Sequence, residues 1–248
     1  MKELIEKKAI IRQLQEKILA LEGFIPHPDG RQLDFGLGPV NAAFPAGIFP
    51  TGAVHEFISS TETRAAATNG FISGLLCTHM KNGGICLWIS TRRRLFPPAL
   101  KFFGIPPHRV IFIDIRREKD VLWVMEQALK CKALAAVVAE LRDLSFAESR
   151  RLQLAVEDSR VTGFLHRCMP RTESTLACVS RWKISPMPGQ TEGLPGVGFP
   201  RWKVELTKIR NGRPGNWQLE WRNGAFRHVP VQKQAVPLPG LIKREHYA

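Results

Sequence analysis

The stretch that could do nucleotide chemistry follows an apolar run and reads Ser59-Ser-Thr-Glu-Thr-Arg64-Ala-Ala-Ala-Thr-Asn-Gly70. A phosphate-binding loop at such a position reads G-x-x-x-x-G-K-[ST]. Its glycines let backbone N–H groups wrap the phosphates, its lysine neutralises them, and its hydroxyl ligates magnesium. Arg64 could imitate the charge of the lysine, but the stretch holds no Gly-Lys pair and no hydroxyl after one. Ser59 and Arg64 therefore predict a degenerate nucleotide site.

A second group that could do chemistry is the carboxylate of Glu140, which directly follows the apolar residues 133–139. A carboxylate at the end of a buried strand can hold magnesium beside bound phosphates. It can equally form an ion pair with a neighbouring arginine such as Arg142, and we prefer this second interpretation. Glu140 is the third member of the predicted degenerate site.

Other catalytic patterns are not found in the sequence. The seven histidines show no H-x-x-x-H spacing, and Ser73 lacks the G-x-S-x-G setting of a serine nucleophile. The five cysteines are odd in number and lie in apolar stretches, which favours buried reduced thiols over disulfides or zinc ligands. We therefore expect no enzymatic activity, no cofactor and no metal.

The elements that must position these residues alternate between strands and helices. Five continuous apolar runs are typical of parallel strands buried on both faces; they are residues 53–59, 85–90, 110–115, 134–139 and 163–167. Asp120 is predicted to cap a helix that runs to Cys131, and Ser145 with Glu148 forms a capping box that opens another. This alternation predicts an α/β fold with an open, mostly parallel sheet flanked by helices.

The C-terminal part changes character to tryptophan-containing strands, predicted at residues 178–184, 202–209 and 217–221. Residues 211–215, Asn-Gly-Arg-Pro-Gly, predict a tight connection between the last two strands, giving a β-hairpin packed on the end of the sheet. Trp182 and Trp202 could stack on an unpaired base, but a place in the core is the stronger interpretation.

Two flanking segments complete the organisation. Residues 2–22 carry an apolar stripe at helical spacing, which predicts an amphipathic helix that docks on this chain or on another protein. The sequence thus divides into an N-terminal helix at 1–23, an α/β domain at 24–230 and a flexible basic tail at 231–248.

The net positive charge of the chain indicates which kinds of molecule it binds. Its 248 residues carry a net charge of +14, and residues 150–248 hold most of that excess. Such a balance favours an anionic partner, such as nucleic acid, an acidic protein surface or anionic lipid. The longest apolar run, residues 133–139, is far shorter than the roughly 20 residues of a membrane span, and the charged N-terminus is unlike a signal peptide. We expect a cytoplasmic protein without membrane contact.

Arginines follow the predicted strand ends with unusual regularity. They are Arg92, Arg93 and Arg94 after the second strand, Arg116 and Arg117 after the third, Arg142 after the fourth, and Arg167 with Arg171 after the fifth. Because ligands of open α/β sheets bind outside the carboxyl ends of the strands, these side chains predict one basic edge that binds DNA or an acidic partner. A set of solvated charges is the competing interpretation.

The order of these parts resembles the RecA-like family, whose ATPases carry a water-activating carboxylate where this chain has Arg92-Arg-Arg94 after its second strand. Within that family, residues 30–230 are similar to the ImuA family, RecA-like relatives that lack a working phosphate loop. The similar segments are Leu87-Trp-Ile-Ser90, Phe96-Pro-Pro-Ala-Leu100, Phe103-Gly-Ile-Pro106, Asp120-Val-Leu-Trp-Val-Met-Glu126, Ser149-Arg-Arg-Leu-Gln-Leu-Ala155, Pro200-Arg-Trp202 and Arg210-Asn-Gly-Arg-Pro-Gly215.

The resemblance implies a non-enzymatic adaptor in damage-induced, error-prone translesion DNA synthesis, part of the SOS response. The partners it implies are an ImuB-like protein, which is an inactive relative of Y-family polymerases, an error-prone replicative-type DNA polymerase and RecA. The arginines add DNA to these partners. The resemblance also implies a bacterial cytoplasmic protein that associates with the nucleoid when active. Two alternatives stay open: a divergent RecA-like ATPase that uses Arg64 and Glu140, and a SulA-like cell-division inhibitor.

Overall fold

The computed structural model describes residues 34–230, apart from positions 82, 190, 192–195 and 197, together with Ile10 and Leu14. Most of the helix predicted at residues 2–22, and the whole tail at 231–248, lie outside the described residues. Ile10 and Leu14 are both in helical conformation. None of the described helices is long and apolar enough to cross a membrane.

Among the described residues, nine strands form one sheet. In chain order they are β1 (Val54–Ser59), β2 (Ile85–Ser90), β3 (Val110–Asp114), β4 (Leu134–Leu141), β5 (Thr162–Cys168), β6 (Ser180–Met187), β7 (Arg201–Ile209), β8 (Gly215–Arg222) and β9 (Ala225–His228). Their order across the sheet is β3-β2-β4-β5-β1-β6-β7-β8-β9. Neighbours from β3 to β6 pair in parallel, and β6 to β9 pair antiparallel. The predicted α/β fold with a mostly parallel sheet is confirmed.

In the part of the chain that the structure describes, three α-helices cover the parallel part of the sheet: α1 (Glu62–His79), α2 (Glu118–Leu129) and α3 (Phe146–Ser159). The apolar side chains of α1 join one core cluster, together with the segment 35–49 and the C-terminal strands. Those of α2 and α3 join a second cluster on the opposite face of the sheet. The result is a three-layer α/β/α arrangement in which β1, β2, β4 and β5 contribute side chains to both cores.

Helix α1 is the central helix of the structure and shows no amphipathic pattern in the sequence. Eleven of its 18 residues are buried, on nearly all sides of the helix. A helix that is enclosed in this way has no polar face, so a period of 3.6 residues cannot reveal it. Its start is set locally, because the Thr61 hydroxyl accepts a hydrogen bond from the backbone N–H of Arg64.

Of the two other predicted helix starts, one is confirmed and one is wrong. The capping box of Ser145 and Glu148 is present and opens α3. Asp120 is not a cap: α2 begins at Glu118 after Arg117, and Asp120 lies in its first turn, where it accepts a hydrogen bond from Arg117 Nε at 2.6 Å.

The C-terminal strands extend the sheet instead of packing on its end. Strand β6 pairs in parallel with β1, and the β7–β8 hairpin continues from it in the same sheet, followed by the short β9. The strands of the predicted hairpin are therefore confirmed. The hairpin continues the sheet, however, so the prediction that it packs on the end of the sheet is wrong. Trp182 and Trp202 are buried, which confirms their place in the core.

Gly74 in α1 provides a test of how tightly that helix packs. An added Cβ would lie 2.5 Å from Cζ of Phe226, which is itself buried among aromatic rings. We predict that Gly74→Ala lowers the free energy of unfolding by about 1–3 kcal/mol, because the ring has no room to move. Chemical denaturation of the two proteins measures the difference.

The matched control is Gly70→Ala, one turn earlier on the same helix. Its Cβ would meet Trp202 at an ordinary 3.4 Å. We expect Gly70→Ala to raise stability by up to about 1 kcal/mol, since alanine is the better helix former. Equal stability of the two variants would contradict tight packing at Gly74.

Candidate functional site

The predicted degenerate site lies at the carboxyl ends of β1, β4 and β5, beneath the first turns of α1. Only Ser60 and Thr61 connect β1 to α1. A phosphate-binding loop spans several more residues between its strand and its lysine, so that its amides can surround the phosphates. The short connection instead turns the chain directly from strand into helix.

Ser59 begins a hydrogen-bond chain that connects four elements, β1, α1, β5 and β4. Its Oγ lies 2.8 Å from Oγ1 of Thr68 and 2.9 Å from Nε2 of His166. Nδ1 of His166 lies 2.8 Å from Oδ1 of Asn69, and Nδ2 of Asn69 donates to Oε1 of Glu140 at 3.1 Å. All five residues are buried. Ser59 is thus an internal partner and not a surface group.

The direction of this chain follows from Asn69. Because its amide nitrogen donates to Glu140, its oxygen must accept, and His166 therefore carries its proton on Nδ1. Nε2 is left with a lone pair that accepts from the Ser59 hydroxyl. Burial lowers the pKa of His166 to about 3, so the ring is neutral.

Glu140 is the charged centre of the site. Its Oε1 accepts a second hydrogen bond, from Trp88 Nε1 at 2.8 Å, whereas its buried Oε2 has no hydrogen-bond donor among the described residues. Oε2 faces Nη1 of Arg94 at 3.6 Å. Burial raises the pKa of Glu140 despite these partners.

The ion pair predicted for Glu140 exists, but its partner is Arg94. Arg142, the neighbour suggested by the sequence, donates its Nε to the carbonyl oxygen of Met169 at 3.0 Å. Arg94 follows β2, which pairs directly with β4, so the pairing of the two strands brings it to Glu140. Proximity in the sequence was therefore the wrong guide to the partner.

Arg94 also binds Glu62, the first residue of α1. Its Nε donates to Oε2 of Glu62 at 3.0 Å and its Nη2 to Oε1 at 3.4 Å. These hydrogen bonds from Arg94 lower the pKa of Glu62. The amino end of a helix favours an anion, and here a carboxylate of the chain itself takes that place. Arg64 is exposed and donates a hydrogen bond to Ser60 Oγ at 3.1 Å. Its described hydrogen bonds do not reach Glu140, which accepts from Asn69 and Trp88.

Most of the strand-end arginines lie where the sequence predicts them, past the carboxyl ends of neighbouring parallel strands. Several are engaged: Arg93 pairs with Asp114 at 2.5 Å, and Arg117 pairs with Asp120. Arg92 and Arg116 are exposed, and the ion pairs among the described residues include neither of them. Arg171 is 77% exposed and lies 3.9 Å from Asp143.

Arg167 does not belong to that exposed edge. Strand β5 runs to Cys168, so Arg167 lies within the strand, and its side chain is 1% exposed. Its Nη1 donates to Oε1 of Glu56 at 2.9 Å and its Nη2 to the carbonyl oxygen of Thr172 at 2.7 Å. Arg181 donates to the other oxygen of Glu56 at 2.6 Å. Arg167 thus holds the sheet together and is not available to DNA or a partner.

Four positions of the site are not predicted by the sequence: Thr68, Asn69, Trp88 and His166. Two signals point to three of them. His166 interrupts a continuous apolar strand with a polar residue, and Thr68-Asn69 does the same in an alanine-rich helix. Buried polar groups need partners, so such interruptions indicate side chains that meet each other.

The different roles of Arg167 and Arg171 are testable. We predict that Arg167→Met lowers the free energy of unfolding by about 3–5 kcal/mol, because it leaves Glu56 buried with only Arg181 as its charged partner. Arg171→Met, the control, should change it by less than about 1 kcal/mol, since an exposed ion pair contributes little. Equal destabilisation of both variants would contradict a structural role confined to Arg167.

Comparison with known proteins gives the chain its family. No protein-family model matches it. Protein ImuA of Caulobacter vibrioides, in strain NA1000 / CB15N and in strain ATCC 19089 / CIP 103742 / CB 15, is 38% identical over 202 residues, covering 76% of this chain and 82% of the relative. The crystal structure of the RadB recombinase superposes with a TM-score of 0.55 at 16% identity, covering 80% of this chain and 100% of that one. This second likeness concerns the fold, which is that of RecA-like recombinases. On sequence identity and coverage, the chain belongs to the ImuA family.

Proposed function

We propose that this protein is a non-enzymatic accessory protein in damage-induced, error-prone translesion DNA synthesis. The observation that carries the proposal is the 38% identity with Protein ImuA over most of both chains. In this role the protein acts as an adaptor in the bacterial cytoplasm, associates with the nucleoid when active, and joins an ImuB-like protein, an error-prone replicative-type polymerase and RecA.

The non-enzymatic part of the proposal rests on the geometry at the start of α1. Phosphates at that position would meet the Glu62 carboxylate, which Arg94 already neutralises. Two connecting residues offer few backbone N–H groups to phosphates, and no lysine stands beside them in the sequence. This arrangement supports a RecA-like domain that works without hydrolysing a nucleotide.

The alternative of a divergent ATPase would need Arg64 and Glu140 to act on one nucleotide. Arg64 is exposed on the first turn of α1. Glu140 is 2% exposed and accepts hydrogen bonds from Trp88 and Asn69. Because this carboxylate is enclosed by the side chains of the protein, the contacts favour the adaptor over the enzyme.

The proposed adaptor role is supported by two exposed arginines. Arg92 and Arg116 follow the adjacent strands β2 and β3 and stand on the same edge of the sheet. Guanidinium groups that are not engaged by carboxylates can bind carboxylates or phosphates of another molecule. We therefore assign the contact with an acidic partner surface, or with DNA, to these two side chains.

The adaptor role predicts that the immobilised protein captures an ImuB-like protein from the same cell. The double variant with Arg92→Glu and Arg116→Glu should bind that protein at least about tenfold more weakly, because the reversed charges repel an acidic surface. Arg150→Glu, an exposed site on α3, is the matched control and should leave capture unchanged. Binding is measured by titration at low salt.

Three results would overturn this role. Capture of neither the ImuB-like protein nor RecA would remove the adaptor. ATP turnover by the purified protein would favour the divergent ATPase. Cell filamentation on overexpression, without capture, would favour a SulA-like inhibitor.

Direct DNA binding gives a separate prediction. If Arg92 and Arg116 bind phosphates, replacing both by alanine weakens binding of a single-stranded oligonucleotide and reduces the slope of log K against log salt by about 0.7 for each phosphate that is no longer neutralised. Fluorescence anisotropy at several salt concentrations measures both quantities. An unchanged slope would assign the two arginines to a protein partner or to solvent.

A further inference from the structure

We propose that Glu140, His166 and Cys168 form a binding site for a transition-metal ion of the zinc class. The proposal goes beyond the adaptor function and does not depend on it. A carboxylate oxygen of Glu140, a ring nitrogen of His166 and Sγ of Cys168 all lie within 4.8 Å of one another, and all three residues are buried. Carboxylate, imidazole and thiolate are the three protein ligand types that Zn²⁺ accepts.

The sheet itself builds this group. Glu140 on β4 pairs directly with His166 on β5, and Cys168 follows two residues later on the same face of β5. Ligands on paired strands are held by the backbone hydrogen bonds of the sheet. Such a support fixes their separation more closely than a surface loop would.

His166 is prepared to act as a ligand. Its Nδ1 donates to Oδ1 of Asn69 at 2.8 Å, which leaves the Nε2 lone pair available. An oxygen acceptor on one ring nitrogen is the usual support of a histidine that binds a metal through the other. Ser59 now donates to Nε2, but its hydroxyl can turn away and keep its contact with Thr68.

Glu140 supplies the second, independent sign of a ligand. Its Oε2 is buried and has no hydrogen-bond donor among the described residues, and the residue as a whole is 2% exposed. Its Oε1 is held in place by Trp88 and by Asn69, the same residue that orients His166. Oε2, which faces only the Arg94 guanidinium at 3.6 Å among the described residues, is therefore the oxygen that can exchange this cation for a metal ion.

Arg94 is the competitor for that oxygen. Its Nη1 lies 3.6 Å from Oε2 of Glu140, beyond hydrogen-bond distance, while its Nε and Nη2 hold Glu62. Arg94 can thus give up Glu140 without losing its closer partner. Metal uptake releases the thiol proton of Cys168 to solvent and leaves a thiolate on the ion, with water completing a four-coordinate sphere.

The test uses the full-length protein, stripped of metal and then titrated with Co²⁺ and Zn²⁺. We expect one Co²⁺ per chain, with the intense thiolate-to-cobalt absorption of a bound cysteine, and displacement of Co²⁺ by Zn²⁺. Cys168→Ser should abolish the thiolate absorption. Asn69→Ala should weaken binding about 10- to 100-fold, because it releases both Glu140 and His166.

Two control variants separate this site from other binding. Cys131→Ser removes a cysteine that is exposed and should change nothing. Arg94→Met should keep or strengthen binding, since it removes the competing cation. The proposal is overturned if wild type takes up no more metal than Cys168→Ser, if Cys131→Ser alone abolishes uptake, or if metal binds only after Arg94 is replaced.

Discussion

Asn69 links α1 to β4 and β5, the two middle strands of the parallel part of the sheet, and the polar side chains at that end of the fold are arranged around this link. With one side-chain amide it donates to Glu140 on β4 and accepts from His166 on β5. An isolated carboxylate at 2% exposure would be costly to bury, and an unpaired imidazole would be costly as well. Asn69 reduces both costs, and Trp88 and Ser59 complete the same network. Polar contacts therefore act together with the apolar contacts of α1 in holding this helix over the sheet.

This network lies at the carboxyl ends of β1, β4 and β5, the edge at which open α/β sheets bind ligands, and the protein's own polar side chains occupy that place. The end of α1 that favours an anion holds Glu62, and the charge that would balance a phosphate is Arg94. Because Arg94 pairs with Glu62 at the start of α1, that helix start needs no bound anion to be stable. The proposed role outside nucleotide chemistry is compatible with the fold of recombinases for this physical reason.

The arginines show how burial divides residues that look alike in sequence. Arg167 and Arg171 are four positions apart and of one type. Arg167 lies on β5 beside β1, where its buried side chain binds Glu56, whereas Arg171 extends into solvent. Strand β5 continues one residue past Arg167, to Cys168, so Arg167 is an interior residue, whereas Arg171 lies three residues beyond the end of the strand. Arg92 and Arg116 stay exposed because each lies just past the end of its strand.

The sequence by itself determined the class of fold. Continuous apolar runs placed β1 to β5 within two residues of their observed ends, and the capping box placed the start of α3, because both signals are local. It also predicted a degenerate site at Ser59, Arg64 and Glu140; the structure joins Ser59 and Glu140 in one hydrogen-bond network and leaves Arg64 on Ser60. Only the tertiary structure decided which polar groups meet there: Arg94 and not Arg142 beside Glu140, and Asn69, Trp88 and His166 around it. It likewise decided that β6 to β9 extend the sheet. These are consequences of strand order and register, which pair residues about a hundred positions apart, and no local pattern carries that information.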